Sequence, residues 1–99
     1  TELVAARQMI RLAASKLDNQ DPQATTYCAM AKRFATDVGF TVCNDALQLL
    51  GGYGYIKEYP MERYVRDTRV HQILEGTNEI MRVIVGRKLL MDGALEVIQ

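Results

Sequence analysis

The segment Ile73–Ile80 contains the carboxylate with the strongest case for chemistry, Glu75, which stands between apolar residues and a glycine. A carboxylate among apolar neighbours is a candidate general base, because desolvation raises a carboxyl pKa. Gly76 is expected to end a helix in the left-handed conformation, and Thr77 or Asn78 suits the N-cap of the next helix. Glu75 is therefore expected at a break between two helices. The alternative is a solvated glutamate at a turn, since most glutamates are exposed.

A glycine-rich stretch, Gly51-Gly52-Tyr53-Gly54-Tyr55, is the second candidate for a binding role. It lacks the third glycine of the dinucleotide motif G-x-G-x-x-G, and it follows a helical pattern where that motif requires a strand. By itself, the pair Gly51-Gly52 predicts the end of a helix. Residues without side chains would also let the backbone approach a phosphate or a sugar closely.

Composition limits the remaining possibilities. The 99 residues, 48% of them hydrophobic, are expected to form a single domain with a modest core. The net charge is zero, so no general attraction to nucleic acid or to an anionic membrane is expected. No apolar run reaches the roughly 18 residues of a membrane span. His71 is the only histidine, which leaves no metal-ligand cluster to propose.

Hydrophobic periodicity predicts an all-α, up-and-down bundle with four visible helices and one neighbour missing. The predicted helices cover residues 1–19, 23–50, 60–74 and about 78–90, and residues 51–59 are expected to form a loop. The second helix has a bulky apolar stripe and a small-residue stripe, which is typical of a central helix packed on two sides. Gly39 within it either serves close packing or is merely tolerated. Cys28 and Cys43 lie roughly 22 Å apart along this helix, too far for a disulfide.

Four motifs in this order and spacing resemble the C-terminal helical domain of the acyl-CoA dehydrogenases over about residues 1–90. They are Gln48-x-x-Gly51-Gly52, Glu58-Tyr59-Pro60, Arg66-Asp67 and Leu74-Glu75-Gly76-Thr77. Residues 65–76 are most similar to the short branched-chain, isobutyryl-type members, and Ile73-Leu74 stands where many straight-chain members have an Ile-Tyr pair. The chain opens at Thr1 without a methionine, so we expect a fragment preceded by a helical domain, a β-domain and the first helix of the bundle.

The resemblance implies a role for each motif. It makes Glu75 the base that removes the α-proton of a CoA thioester, with Gly76 and Arg87 near the substrate; Arg87 could equally be a charge at the end of a helix. It implies that FAD, bound mainly by a neighbouring subunit, is contacted by Gln48, Leu49, Leu50, Gly51 and Gly52. It further implies that Thr77, Asn78 and Glu79 lie against the flavin, which is compatible with their serving as helix caps. Arg66-Asp67 is interpreted as a structural ion pair.

The function implied by the resemblance is FAD-dependent α,β-dehydrogenation of a short or branched acyl-CoA by a homotetramer. The compartment is left open between a bacterial cytoplasm and a mitochondrial matrix. Electron-transferring flavoprotein is the implied acceptor, and an oxidase that passes electrons to oxygen is a variant of the same chemistry. The chain alone is expected to be inactive. A non-enzymatic helical assembly module is the competing hypothesis, and the retention of Glu75 with Gly76-Thr77 favours the enzyme.

Overall fold

The computed structural model describes residues 1–93 and contains, within that range, five helices and no strand. The helices are α1 (Glu2–Asp18), α2 (Ala24–Leu50), α3 (Gly52–Tyr55), α4 (Met61–His71) and α5 (Asn78–Asp92). The predicted all-α class is confirmed. The predicted loop at residues 51–59 is wrong in part, because it contains α3. The fourth predicted helix, given as about residues 78–90, continues to Asp92 as α5, and residues 94–99 lie outside the described part of the chain.

Helix α2 is the centre of the molecule, as its two apolar stripes predicted. Helices α1, α3, α4 and α5 all pack against α2, whereas α1 packs against no other helix in the described residues. Small side chains form most of the buried surface: Ala6, Ala13, Ala24, Ala29, Ala31, Val38 and Met81 are the buried hydrophobic residues. Because alanine lets two helix backbones approach closely, the other helices pack against α2 without a large core of bulky side chains.

The junction between α1 and α2 is fixed by Asp21. Its Oδ1 accepts a hydrogen bond of 2.7 Å from the backbone N–H of Gln23, and its Oδ2 lies 3.3 Å from Lys16 Nζ. The bond from Gln23, opposed by partial desolvation and aided by Lys16, lowers the pKa of the Asp21 carboxyl. Asp21 and Pro22 both precede the N-cap of α2, Gln23.

Helix α3 is packed against the end of α2 because its glycines allow it. Gly51 has φ +60°, and its N–H donates to Gln48 O at 3.0 Å to close α2. Gly54 is buried, and a Cβ there would lie against the Leu47 carbonyl oxygen, with Leu50 Cβ 3.1 Å away. At Gly39, by contrast, a Cβ would meet no described atom within 4 Å, so this chain supplies no packing reason for that glycine.

The described residues 1–93 were also examined for a membrane span, a metal-ligand cluster and a disulfide. No helix there is both long and apolar enough to cross a bilayer. No group of three or more His, Cys, Asp or Glu side chains in that range is placed to hold a metal ion. Cys28 and Cys43 are both free thiols.

Candidate functional site

Glu75 lies on the turn that joins α4 to α5, and its backbone is unusual. Its φ is +58° and that of Gly76 is +90°, so two consecutive residues have positive φ. The positive φ of Gly76 was predicted, whereas that of Glu75 was not. Helix α4 also ends earlier than predicted, at His71 with Gln72 as C-cap, because the amides of Ile73 and Leu74 both turn back to the Val70 carbonyl at 2.9 Å.

Several backbone N–H groups on this turn are unpaired. In the described part of the chain, no acceptor contacts the N–H of Glu75, Gly76, Thr77 or Glu79. Thr77 is the N-cap of α5, as predicted, since its Oγ1 accepts a hydrogen bond of 3.3 Å from Ile80 N. Glu75 is itself exposed. The turn therefore combines an exposed carboxylate with several N–H groups that have no acceptor in the described residues.

A polar cluster formed by Lys32, Thr36, Asp37, Gln72 and Asn78 anchors this turn to α2. Lys32 Nζ donates to the Gly76 carbonyl oxygen and to Asn78 Oδ1, both at 2.7 Å. The Asn78 Nδ2 donates to Asp37 Oδ1 at 2.7 Å and to Thr36 Oγ1 at 2.8 Å. Asn78 is 3% exposed, so its amide is an internal linker between two helices.

Asp37 connects this cluster to further donors. Gln72 Nε2 donates to its Oδ1 at 2.8 Å, while Arg33 and Arg82 lie 3.6 and 3.5 Å from its Oδ2. Partial burial by itself raises the pKa of Asp37, but the hydrogen bonds from Gln72 and Asn78 and the two guanidinium groups outweigh it and lower that pKa. The carboxylate is thus kept ionised as the common acceptor of the cluster.

The residues of this cluster were missed by the sequence analysis, apart from Asn78, which was considered as a cap or flavin contact. Lys32 and Gly76 are 44 positions apart, and no local pattern pairs them. One sequence pattern could have indicated a polar cluster on α2. Polar residues interrupt the apolar helix at a spacing that places them on or near one face: Lys32, Arg33, Thr36 and Asp37.

The second predicted segment, Gln48–Gly52, lies elsewhere on the molecule. Its residues are exposed, and Gly51 is roughly 21 Å along the helix axis from Asp37. Apolar side chains around it are exposed too, with Leu49 at 88%. A Cβ at Gly52 would meet no described atom within 4 Å. The structure therefore does not bring the two predicted flavin-binding segments together within one chain.

Other predicted site residues are exposed. Arg87 lies nine residues after Asn78, which puts it on the opposite face of α5, away from α2. The alternative role of Arg87, a charge at the end of a helix, is not supported, because α5 continues to Asp92 and its last turn has no basic residue. The expected Arg66-Asp67 ion pair is absent from the described residues.

A family model and the two relatives described here all point to the acyl-CoA dehydrogenases. Residues 1–90 match the family model described as acyl-CoA dehydrogenase, C-terminal domain. The chain is 57% identical over 90 residues to the mitochondrial isobutyryl-CoA dehydrogenase of Bos taurus, which covers 91% of this chain and 22% of that protein. It is 59% identical over 92 residues to the Dictyostelium discoideum isobutyryl-CoA dehydrogenase, covering 93% and 22%. The chain thus spans about a fifth of the length of these relatives.

Two solved structures superpose on most of this chain. Butyryl-CoA dehydrogenase from Megasphaera elsdenii superposes with a TM-score of 0.85 at 43% identity, over 90% of this chain and 23% of that one. A chain in the structure of the electron transferring flavoprotein of Acidaminococcus fermentans superposes with a TM-score of 0.86 at 46% identity, over 91% and 23%.

Proposed function

The chain belongs to the acyl-CoA dehydrogenase family, as its C-terminal domain, and on that premise we propose that the full-length protein oxidises an acyl-CoA thioester between Cα and Cβ. The observation that carries this proposal is the turn at Glu75. A carboxylate and several unpaired backbone N–H groups are presented together on a turn that is anchored to α2. Such an arrangement suits removal of a proton next to a carbonyl whose oxygen gains negative charge.

Glu75 is the proposed general base. Its carboxylate takes the α-proton, and the electron pair of the broken Cα–H bond forms the new Cα=Cβ bond as the β-hydrogen departs with its own pair. Bound FAD would supply the hydride acceptor for that β-hydrogen. The N–H of Glu75, which has no acceptor in the described chain, donates to the thioester oxygen and stabilises the charge that develops there. The product is a trans-2-enoyl thioester.

The flavin-binding residues proposed are Gln48, Leu49, Leu50, Gly51, Gly52, Thr77, Asn78 and Glu79. Two features are compatible with a group that has phosphates: a Cβ at Gly52 would meet no described atom within 4 Å, and the amides of Thr77 and Glu79 have no acceptor in the described residues. Asn78 belongs to the segment by position, but its side chain and its N–H are engaged with α2 and with Gln72. Because the two segments are apart, we propose that they contact different FAD molecules in an oligomer.

A short branched acyl-CoA is the proposed substrate, with Gly76 and Arg87 beside it. The support is the 57% and 59% identity to two isobutyryl-CoA dehydrogenases. Exposure of Arg87 on the face of α5 away from α2 leaves its guanidinium available for an external carbonyl or phosphate. Electron-transferring flavoprotein is the proposed acceptor, supported by similarity to a chain in the structure of such a flavoprotein. A homotetramer is the proposed assembly.

The proposal is tested by substituting Glu75 in the full-length protein. Glu75→Gln keeps the shape of the side chain but cannot accept a proton at neutral pH. We expect it to slow flavin reduction by ~10²–10⁴-fold, the usual cost of losing a general base. Glu75→Asp should retain about 1% of the rate, since misplacing the oxygen by about one bond length costs ~10²-fold. The measurement is the rate of flavin reduction under anaerobic conditions on adding a short branched acyl-CoA.

The matched control is Glu62→Gln, which removes a carboxylate on α4 away from the turn and should leave the rate near wild type. Flavin content and acyl-CoA binding should remain near wild type in all three variants. Reduction of the Glu75→Gln flavin at a rate close to wild type would show that the base lies elsewhere and would overturn the assignment.

A further inference from the structure

The conformation of the Glu75 turn requires a restraint from outside the turn. A positive φ is unfavourable for a glutamate, because Cβ crowds the backbone, and such residues persist only where surrounding structure fixes them. Glu75 itself makes no described hydrogen bond or ion pair, and its side chain is exposed. The restraint must therefore act on the neighbouring peptide groups.

Lys32 supplies that restraint directly. Its ammonium lies 2.7 Å from the carbonyl oxygen of Gly76, the residue that follows Glu75. A hydrogen bond from a charged donor at this distance is among the stronger kinds in proteins. It fixes the peptide plane between Gly76 and Thr77, and with it the direction in which the chain leaves Glu75.

Asn78 and Asp37 fix the ammonium in turn. Asn78 Oδ1 accepts from Lys32 Nζ at 2.7 Å, while Asn78 Nδ2 donates to Asp37 Oδ1 at 2.7 Å. These bonds set the orientation of the Asn78 amide, with its oxygen toward the cation and its nitrogen toward the anion. The Gln72 side chain also donates a hydrogen bond to Asp37, and the backbone carbonyl oxygen of Gln72 accepts a hydrogen bond from the Asn78 N–H at 3.0 Å. The cluster therefore holds both ends of the segment 72–78, with Glu75 in its middle.

We propose that Lys32 is a positioning residue for Glu75, an inference that rests on the proposed function. Lys32 approaches the turn from the α2 side through the Gly76 carbonyl, so it leaves the Glu75 carboxylate and N–H free for substrate. Without it, the turn relaxes toward conformations that glutamate prefers, and the carboxylate moves away from the α-proton. A displacement of about 1 Å at a reacting group costs ~10²-fold in rate.

The test compares Lys32→Met with Lys16→Met in the full-length protein carrying FAD. Methionine keeps an unbranched stem and removes the ammonium in both variants. Lys16 is a matched control, since its ammonium pairs with Asp21 and lies 4.4 Å from the Tyr27 ring centroid, and neither of these partners belongs to the Glu75 turn. We expect anaerobic flavin reduction by a short branched acyl-CoA to slow ~10²-fold in Lys32→Met and to stay within about twofold of wild type in Lys16→Met.

A double substitution separates positioning from a general loss of structure. If Lys32 acts through Glu75, adding Lys32→Met to Glu75→Gln should slow flavin reduction no further, because the base it positions is already lost. The KM for acyl-CoA and the flavin content should stay within about twofold of wild type. A crystal structure of Lys32→Met should show Glu75 with negative φ. Lys32→Gln keeps a polar side chain without the charge, and it should also slow flavin reduction. This variant replaces Lys32→Met in the test if Lys32→Met does not fold.

The outcomes distinguish this inference from the function on which it rests. Equal rates for Lys32→Met and Lys16→Met, with Glu75→Gln inactive, would overturn the positioning role and leave the base assignment intact. Further slowing of Glu75→Gln by Lys32→Met would also overturn it, since Lys32 would then act on another group. Flavin reduction at the wild-type rate in Glu75→Gln would instead overturn the proposed function.

Discussion

Glu75 occupies a conformation that costs an L-residue other than glycine about 1–2 kcal/mol. That cost is offset by neighbours rather than by Glu75, whose own polar groups have no hydrogen-bond partner among residues 1–93. Residues in such conformations cluster at functional sites, where the surrounding structure holds them. At the scale of single residues, the turn therefore has the property expected of a preorganised base: its backbone is fixed and its reactive atoms are available.

Asp37 should make the stability of the protein depend on pH. Its pKa is lower in the folded chain than the 3.8 of an unperturbed carboxyl, so the folded state favours its ionised form. The stabilisation is fully present above the unfolded pKa and is lost as pH falls through the lower, folded pKa. We expect Asp37→Asn to lower the melting temperature of the full-length protein near neutral pH, and the difference from wild type to shrink below about pH 4.

Thermal unfolding at several pH values measures this difference. Asp45→Asn is the control, since Asp45 is an exposed carboxylate of α2 without a described ion pair; such surface changes usually stay within about 0.5 kcal/mol. A constant gap between wild type and Asp37→Asn from neutral to acidic pH would contradict the role of Asp37 as an ionised acceptor.

Of the site residues, those defined by local chemistry were predictable from the sequence. Thr77 as N-cap and the positive φ of Gly76 follow from side-chain type and neighbours, and both are present. The positive φ of Glu75 could not be predicted, because its cause lies partly in Lys32, more than forty positions away. Sequence spacing has no information about which distant side chain will reach a given carbonyl oxygen.

At the scale of elements, α2 was predictable and α3 was not. Two apolar stripes over 27 residues indicate a central helix whatever its neighbours are. The four residues of α3 contain two glycines, a composition that favours a loop. It is helical because Gly54 fits against the backbone of α2, a contact between elements that composition alone does not reveal.

Gly54 should be intolerant of a side chain. An added Cβ would overlap the Leu47 carbonyl and press on Leu50, which are backbone and near-backbone atoms with little freedom to move. We expect Gly54→Ala to destabilise the full-length protein by about 1–3 kcal/mol through overpacking. Gly39→Ala is the matched control, because the added Cβ meets no described atom and alanine favours a helix interior by up to about 1 kcal/mol.

Chemical or thermal unfolding of both variants measures the change in the free energy of unfolding. We expect a decrease for Gly54→Ala and an increase for Gly39→Ala. Destabilisation by Gly39→Ala would indicate that another part of the protein packs closely at that position, resolving the role that the sequence left open. Equal or greater stability of Gly54→Ala relative to wild type would contradict the packing described for α3.

At the scale of the whole molecule, residues 1–93 form an open arrangement around one helix. Between α1, α2 and α5 lies an apolar groove of about 620 Å³, lined by Met9, Met30, Phe34, Met81, Val85 and Leu89 among others. Large apolar side chains are exposed elsewhere, including Leu17 at 62% and Tyr55 at 79%. Soluble monomers rarely expose apolar patches beyond a few hundred Å². These surfaces are expected to be covered in the full-length protein.

The isolated chain of 99 residues should therefore self-associate and should neither retain FAD nor oxidise any acyl-CoA. The two segments proposed to contact flavin are separate surfaces of this chain, so neither can enclose the cofactor alone. Self-association removes apolar surface from water at roughly 25 cal/mol per Å², and covers the groove and the exposed side chains of α1 and α3. Size-exclusion chromatography with light scattering, together with visible absorbance after incubation with FAD, measures both properties. A monomer that holds one FAD per chain would show that this domain alone builds a complete flavin site and that its apolar faces need no partner.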